Sequence, residues 1–522
     1  MIRCWFALAL LLVTAPALAA NPGMLNRGNG AEPESLDPQF TGSVAEENVL
    51  NDLMVGLTTL DAAGRPISGM AESWTASPDG KVWTFHLRKA LWSDGTPVTS
   101  ADFVFAWRRL LDPKTASRTA YNLWLLHNAQ AVSNGAMPPD RLGVAAPKPD
   151  TLVVTLEHPA PYLPELLTHP SALPLPRSVV TAKGAAWSRP GSYVGNGPYT
   201  LQAWVPGDHI TLSKNPRFYD AAQVSIATVN YFPTGDADAA LRRFRAGELD
   251  MQSPVPSGQT TWLKANMPGA LHVTPSLAVA YIAINLSDPV LKDVQVRRAL
   301  NLAYNREAIT DKVLKQGEAP AYTYVPPGTA NYPGAPAMNF RSLPFPARIA
   351  QAQKLMQAAG YGPFQRLRLT YETTNNPDYR RVAAILQAML KPIYIDLTIQ
   401  TVELQIHLRN LRQHQFELGS ANWYADFNDA SNFLDLLRSG SGNNYAGYRN
   451  PRFDAALDAA ANEPDPARRG GDLAAAEAIA LADYPWVVTR FPVQSDVVAA
   501  RVKGWTANVR DFQPTRWLRL EK

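Results

Sequence analysis

The runs Leu367-Arg368-Leu369-Thr370-Tyr371, Val382-Ala383-Ala384-Ile385-Leu386-Gln387-Ala388-Met389-Leu390 and Ile393-Tyr394-Ile395-Asp396-Leu397-Thr398-Ile399 decide the fold class. Leu367, Leu369 and Tyr371 alternate with other residues, so an extended strand here has one apolar face. Val382, Ile385, Leu386, Met389 and Leu390 recur at steps of one, three and four, the spacing of one helix face. Ile393, Ile395, Leu397 and Ile399 alternate again. Phe416 to Ala421 reads as a further short strand. Strand, helix, strand in close succession implies a parallel α/β lobe, because parallel strands are joined by a crossover that is usually a helix.

The same grammar extends in both directions. Val296, Ala299, Leu300 and Ala303 form the stripe of a helix starting near Asp293, and another helix runs from about Arg348 to Gly360. Lys81 to Arg88 alternates, with Trp83, Phe85 and Leu87 on one face. Ser93-Asp94-Gly95 is a turn, and Thr99 with Asp102 three residues on is a capping box. Phe103, Ala106, Trp107, Leu110 and Leu111 then follow at helical spacing until Asp112-Pro113. Pro-rich stretches lie at Pro138-Pro139, Pro159 to Pro176 and Tyr324 to Pro346. The last is expected to be a surface excursion.

A chain of 522 residues implies two to four domains at about 150 residues each. Charged residues are only 18% and hydrophobic residues 46%, which excludes bulk disorder. The net charge of +4 is small, and no basic run exceeds two residues, so the sequence shows no footprint for nucleic acid. Met1-Ile2-Arg3, the apolar run Trp5 to Val13 and Ala17-Leu18-Ala19 read as a secretory signal peptide, with cleavage expected after Ala19. Its apolar run is too short to span a bilayer, which needs about 20 residues. Cys4, the one cysteine, precedes that run, so the mature chain is expected to carry neither a disulfide nor a lipid anchor.

Motifs of catalysis and metal binding are missing. There is no G-x-S-x-G elbow, no H-E-x-x-H and no phosphate-binding Gly-rich loop, and Gly195-Asn196-Gly197-Pro198 reads as a turn feeding the strand Tyr199 to Trp204. Asp426-Phe427-Asn428-Asp429 fails as a calcium loop, because the glycine and the terminal glutamate are absent. No cofactor and no metal site are expected.

Ala71-Glu72-Ser73-Trp74, Trp83-Thr84-Phe85-His86-Leu87-Arg88, Trp92-Ser93-Asp94-Gly95-Thr96-Pro97-Val98-Thr99 and Asp102-Phe103 form a long ordered signature. It resembles the large extracytoplasmic solute-binding proteins of ABC importers (family 5, cluster C), and within them the oligopeptide-binding proteins. Asn29 to Pro33, Ser35 to Pro38, Leu110 to Ser117, Asn196 to Tyr199, Asp293 to Arg297, Gln316-Gly317, Ala321 to Pro327 and Ala425 to Asn428 agree in the same order. The resemblance covers nearly all of the mature chain. It implies an α/β fold of two lobes joined by a hinge, with an additional third domain. Carried onto this chain, 1–19 is the signal peptide; 20–46, 184–276 and 492–522 make the discontinuous N-terminal lobe; 47–183 is the extra domain; and 277–491 is the second lobe.

The function implied is a periplasmic, non-enzymatic, monomeric receptor. It clamps a short peptide between its lobes and hands it to a membrane-embedded ABC permease. An extended peptide pairs with strand edges, which gives affinity independent of side chains. By resemblance one edge is Asn422-Trp423-Tyr424 and the other lies near Glu32 to Ser35. Asp426 matches the aspartate that pairs with the peptide amine. Glu32 faces the ligand region in relatives, Trp423 stands at a side-chain pocket, and Tyr121 and Trp124 lie on an aromatic segment near it. Two departures concern the carboxyl end. Relatives that favour tripeptides have an arginine where this chain has Ser420, and a family histidine is replaced near Tyr379-Arg380-Arg381. Arg380 or Arg381 is the candidate substitute anion partner, the other reading of both being an exposed helix face. The alternatives are the same scaffold binding a murein peptide, glutathione, a nickel chelate or a sugar, or a secreted hydrolase.

Overall fold

The computed structural model describes residues 23–521, so the signal-peptide reading and Cys4 lie outside the described residues. Two mixed sheets organise the chain. The first has seven strands in the order Leu271–Pro275, Val493–Val498, Met251–Gln252, Met24–Gly28, Thr228–Phe232, His209–Lys214, Tyr199–Val205. The second has six, in the order Ala319–Pro320, Trp486–Phe491, Ala278–Ile284, Leu418–Tyr424, Leu367–Thr374, Ile395–Val402. Ala278–Ile284 is buried at every residue, which fits its uninterrupted apolar sequence. Leu367–Thr374 and Ile395–Val402 pair in parallel along their whole length, joined by the helix Pro377–Leu390. That helix packs through Val382, Ala383, Leu386 and Leu390, and Asn376 caps it by accepting from the Asp378 and Tyr379 amides. The strand begins at Ile395 rather than Ile393, because Lys391–Ile393 form a 3-10 turn around Pro392.

A four-stranded antiparallel sheet, Ala71–Ala76, Val82–Leu87, Thr151–Thr155 and Val144–Lys148, forms a separate layer. Trp83, Phe85 and Leu87 are its buried face. The helix Ser100–Leu111 follows, and the Asp102 carboxylate accepts the Thr99 amide at 2.8 Å as the capping box requires. Phe103, Ala106, Trp107, Leu110 and Leu111 are all buried.

Apolar packing divides the molecule at one place. A core running from Leu25 through Phe85, Trp107 and Trp187 to Tyr231 and Val498 joins the four-stranded sheet to most of the seven-stranded one. A smaller cluster around Leu241, Phe244 and Leu263 completes that side. A second large core contains only residues between Leu277 and Phe491. Two neighbouring strands cross between the halves. Leu271–Pro275 continues into Ala278–Ile284 through Ser276-Leu277, and Trp486–Phe491 continues into Val493–Val498 through Pro492. The two crossings touch where the Ser276 amide donates to the Pro492 carbonyl at 3.0 Å. Two packed bodies joined by two short extended segments have the form of a hinge.

The stretch from Tyr324 toward Pro344 differs from its expectation as a surface excursion. It has no strand or helix, yet Tyr324, Met338 and Phe340 are buried in the second core. Glu477 anchors it by accepting the Val325 amide at 2.9 Å, the Tyr324 amide and the Tyr332 hydroxyl.

Candidate functional site

Leu418–Tyr424 is an inner strand of the second sheet whose far half has one unpaired edge. On one side it pairs with Ala278–Ile284 throughout, up to Tyr424 opposite Ala278. On the other side it meets Leu367–Thr374 only at Leu418 and Gly419. Asn422 to Tyr424 therefore lie along a gap rather than a neighbour strand, since the ladder stops at Gly419 and the Ser420 carbonyl is taken by His407. Open backbone of this kind is what an extended peptide pairs with. Asn422 and Tyr379 touch across the mouth of the gap. The segment Glu32 to Ser35 is not a strand: the Glu34 amide donates to Glu46 Oε1 at 3.0 Å and the chain bends there.

Beyond Tyr424 the chain leaves the ladder, and Ala425 donates to the Leu277 carbonyl at 2.9 Å. Asp426 then faces the other body. Tyr121 donates its hydroxyl to both carboxylate oxygens at 3.3 Å. Asn432 Oδ1 accepts the Asp426 amide at 3.3 Å and Trp423 Nε1 at 2.7 Å, which fixes loop and indole together. Phe427 stacks on Tyr162 at 5.0 Å, Arg469 covers the other ring contact at 4.8 Å, and the Asn428 amide donates to Glu165 at 3.4 Å. These contacts close the two bodies over the aspartate. A cavity of 740 Å³ adjoins it, lined by Tyr121, Trp124, Tyr162, Trp423 and Phe427 among others.

The electrostatics around Asp426 are short of positive charge. Burial pushes its carboxyl pKa up, and hydrogen bonds from Asn432 and Tyr121 with the charge of Arg510 only partly oppose this. Burial also pushes Glu47 up to about 7, with Arg510 opposing and Asp426 adding to the shift. Arg510 is already committed to Glu165 at 3.0 Å. His169 lies 3.7 Å from Glu47, but burial holds its pKa down at about 3, so it stays neutral. Two carboxylates thus share one occupied guanidinium, an environment suited to an ammonium group.

The Glu47 shift has a sign that a titration reads. In the folded, ligand-free protein Glu47 holds a proton that the unfolded chain releases above 4.5. Its stabilising contribution is therefore full below 4.5 and is lost as pH rises through about 7. The side chain retains 35% exposure, so solvent mutes the effect. Glu47→Gln is expected to flatten the fall in stability across that window, measured by urea unfolding at its two ends.

The remaining sequence-derived residues are placed differently. Glu32 does not line the cavity: its carboxylate accepts Trp204 Nε1 at 2.6 Å and the Gly207 amide at 3.3 Å, both from the hairpin formed by Tyr199–Val205 and His209–Lys214. Arg380 and Arg381 are exposed on the first turns of Pro377–Leu390, and Arg381 pairs with Asp378. Tyr424 is 58% exposed at the open edge. Ser420 donates to Thr373 Oγ1 at 3.0 Å. It also lies 3.3 Å from His407 Nε2, while His407 Nδ1 is 2.7 Å from Glu372. That array has the outline of a nucleophile, base and acid. However, His407 Nε2 is 2.7 Å from the Ser420 carbonyl, which accepts and so requires the proton on Nε2. A protonated Nε2 cannot take a proton from the hydroxyl, so this serine is not activated. Glu47, Arg510, Tyr162 and Asn432 escaped sequence reasoning. Each is an ordinary residue type with no local spacing signal, brought to Asp426 only by folding.

Among the described residues no group of three or more His, Cys, Asp and Glu is arranged to hold a metal ion, and no helix is long and apolar enough to cross a membrane.

The profile described as "Bacterial extracellular solute-binding proteins, family 5 Middle" matches residues 65–445. The periplasmic oligopeptide-binding protein OppA of Haemophilus influenzae is 36% identical over 498 residues, covering 94% of this chain and 92% of its own. The crystal structure of that OppA in complex with the peptide RPPGFSPFR superposes with a TM-score of 0.83, at 36% identity, covering 96% of this chain and 99% of the other. The periplasmic murein peptide-binding protein MppA of Escherichia coli is 33% identical over 481 residues, covering 91% of this chain and 89% of its own.

Proposed function

Since the chain belongs to the bacterial extracellular solute-binding proteins of family 5, we propose that it is a peptide receptor whose two bodies close over a short peptide. The observation that carries this is the pairing of an open strand edge, Asn422 to Tyr424, with a half-buried carboxylate, Asp426, just beyond its end. The edge takes peptide backbone whatever the side chains. The carboxylate takes the leading amine, in a charge-assisted bond that strengthens as closure excludes water. Tyr121 and Glu165 from one body meet Asp426 and Asn428 from the other, so closure and ligand capture are one event.

On this reading the protein works in the periplasm as a monomer, binds without turnover, and delivers its ligand to an ABC permease. It takes no nucleic acid and no cofactor. Its domain plan is 20–46, 184–276 and 492–522 for the first lobe, 47–183 for the extra domain and 277–491 for the second lobe, after cleavage near Ala19 without lipidation.

Native mass spectrometry of the protein purified from its periplasm tests the reading. The expected result is a set of adducts that release short peptides with free amino termini on denaturation. Adducts of a sugar or a nickel chelate in their place would remove the peptide assignment.

A further inference from the structure

Backbone groups along Leu418–Tyr424 alternate between the two sides of the strand. The Glu417 carbonyl accepts the Asn285 amide at 3.0 Å, and the Ala425 amide donates to the Leu277 carbonyl at 2.9 Å. Odd-numbered residues therefore turn toward Ala278–Ile284. Even-numbered residues turn the other way: Leu418 into the short pairing with Leu367–Thr374, and Ser420, Asn422 and Tyr424 into the gap beyond it. These three carry the amides and carbonyls that face an extended ligand.

One of the three carbonyls is taken. His407 Nε2 stands 2.7 Å from the Ser420 carbonyl oxygen, and since a carbonyl only accepts, the ring donates. The imidazole is buried, on the helix Leu404–Arg412, and its orientation is fixed from behind. Glu372, on the strand Leu367–Thr374, places Oε1 2.7 Å from His407 Nδ1 and accepts Asn410 Nδ2 at 2.8 Å through Oε2. His407 and Asn410 lie three apart on one helix face, so both reach the same carboxylate. Apolar side chains of similar volume hold a helix on a strand as well as a buried carboxylate and imidazole, or better. What the imidazole adds is a donor in front of the Ser420 carbonyl. At the same place the Ser420 hydroxyl donates to Thr373 Oγ1 at 3.0 Å, bridging the two strands where their backbones no longer pair.

We propose that His407 is a positioning residue that ends the ligand's backbone pairing at Asn422, and so sets how many ligand residues the strand edge holds. This rests on the peptide-receptor reading and adds ligand length to it. With the Ser420 carbonyl occupied, Asn422 and Tyr424 offer one amide and one carbonyl each. An extended chain whose amine lies at Asp426 passes Tyr424 and then Asn422 within about three or four residues. The residues that follow meet the imidazole and gain no further bond from the edge. Longer peptides bind, but their extra length adds no affinity. Because the strand alternates, freeing the Ser420 carbonyl lengthens the pairing by two ligand residues.

The test titrates alanine peptides of two to seven residues, amidated at the C-terminus so that no end charge varies, into the ligand-free protein by calorimetry. In wild type, affinity is expected to rise to a plateau at the tripeptide or tetrapeptide. The double variant His407→Phe, Glu372→Gln keeps the ring volume, removes the donor and leaves no unpaired buried charge. Its plateau is expected two residues later and about threefold to tenfold higher, the scale of one hydrogen bond. Its tripeptide affinity is expected to match wild type, which shows that it is folded. A merely structural His407 leaves the plateau in place, so an unshifted plateau in the double variant overturns the assignment. A wild-type affinity that still climbs from tetrapeptide to hexapeptide overturns it too. A second measurement needs no variant. Replacing single amide N–H groups of the hexapeptide by ester oxygens is expected to weaken wild-type binding within the first four residues and to leave it unchanged beyond them. A loss at the fifth or sixth residue overturns the assignment. Failure of wild type to bind any member of the series removes the receptor reading itself, and this inference with it.

Discussion

Asp426→Asn is expected to weaken binding of a free-amine peptide by about 2–5 kcal/mol, at least thirtyfold, while leaving the protein folded. The substitution keeps the shape and removes the charge. The ligand's ammonium then enters a site that no longer compensates its desolvation, and Arg510 and Glu165 remain paired with each other. Titration calorimetry of both proteins with one peptide measures the loss. Unfolding of the empty protein should move the other way. Burial raises the Asp426 pKa, so its ionised form costs stability at neutral pH, and the neutral amide relieves that cost. Weaker binding from a more stable protein separates a functional charge from a structural one.

Asp429→Ala is expected to destabilise the second lobe by about 3–5 kcal/mol, because it leaves a charge buried without its partner. The Asp429 and Arg469 side chains are only 4% and 5% exposed, and their two bonds are 2.7 and 2.8 Å long. Asp429 also accepts the Ser431 amide and hydroxyl, at 2.9 and 2.6 Å, which shapes the turn carrying Asp426. Arg469 in turn covers Tyr162, whose other contact is Phe427. Removing Asp429 therefore loosens both the loop and the closing surface. Denaturant unfolding measures the first effect. Replacing the pair together by apolar residues of similar volume should recover most of the stability, since a buried ion pair is expensive to break and cheap to replace.

Much of the architecture was legible because it is written in local periodicity. Leu367 to Ile399 announces strand, helix and parallel strand, and the register confirms them from Leu367 opposite Ile395 to Thr374 opposite Val402. Boundaries were less legible. Phe416 to Ala421 reads as a strand on its apolar content, but the ladder runs from Leu418 to Tyr424, held by Ala278–Ile284. Pro-rich sequence from Tyr324 onward suggests a surface loop. Burial of Tyr324, Met338 and Phe340 overrides that, and Glu477, distant in sequence, satisfies the backbone that makes it possible.

The site divides in the same way. The motif Ala425-Asp426-Phe427-Asn428 flags the aspartate by resemblance, and the fold puts it beside Tyr121. What sets its electrostatics comes from Glu47, Glu165 and Arg510, which share no spacing with it. Arg380 and Arg381 attract attention as adjacent cations, yet both lie on an exposed helix face, where Arg381 pairs with Asp378.

The most direct measurement compares one short peptide with its Nα-acetyl derivative, each titrated calorimetrically into ligand-free protein. Capture of the leading amine by Asp426 predicts tight binding of the free amine and a loss of about a hundredfold or more on acetylation, as a half-buried carboxylate loses its counter-charge when the bodies close. Equal affinities for the two would contradict it.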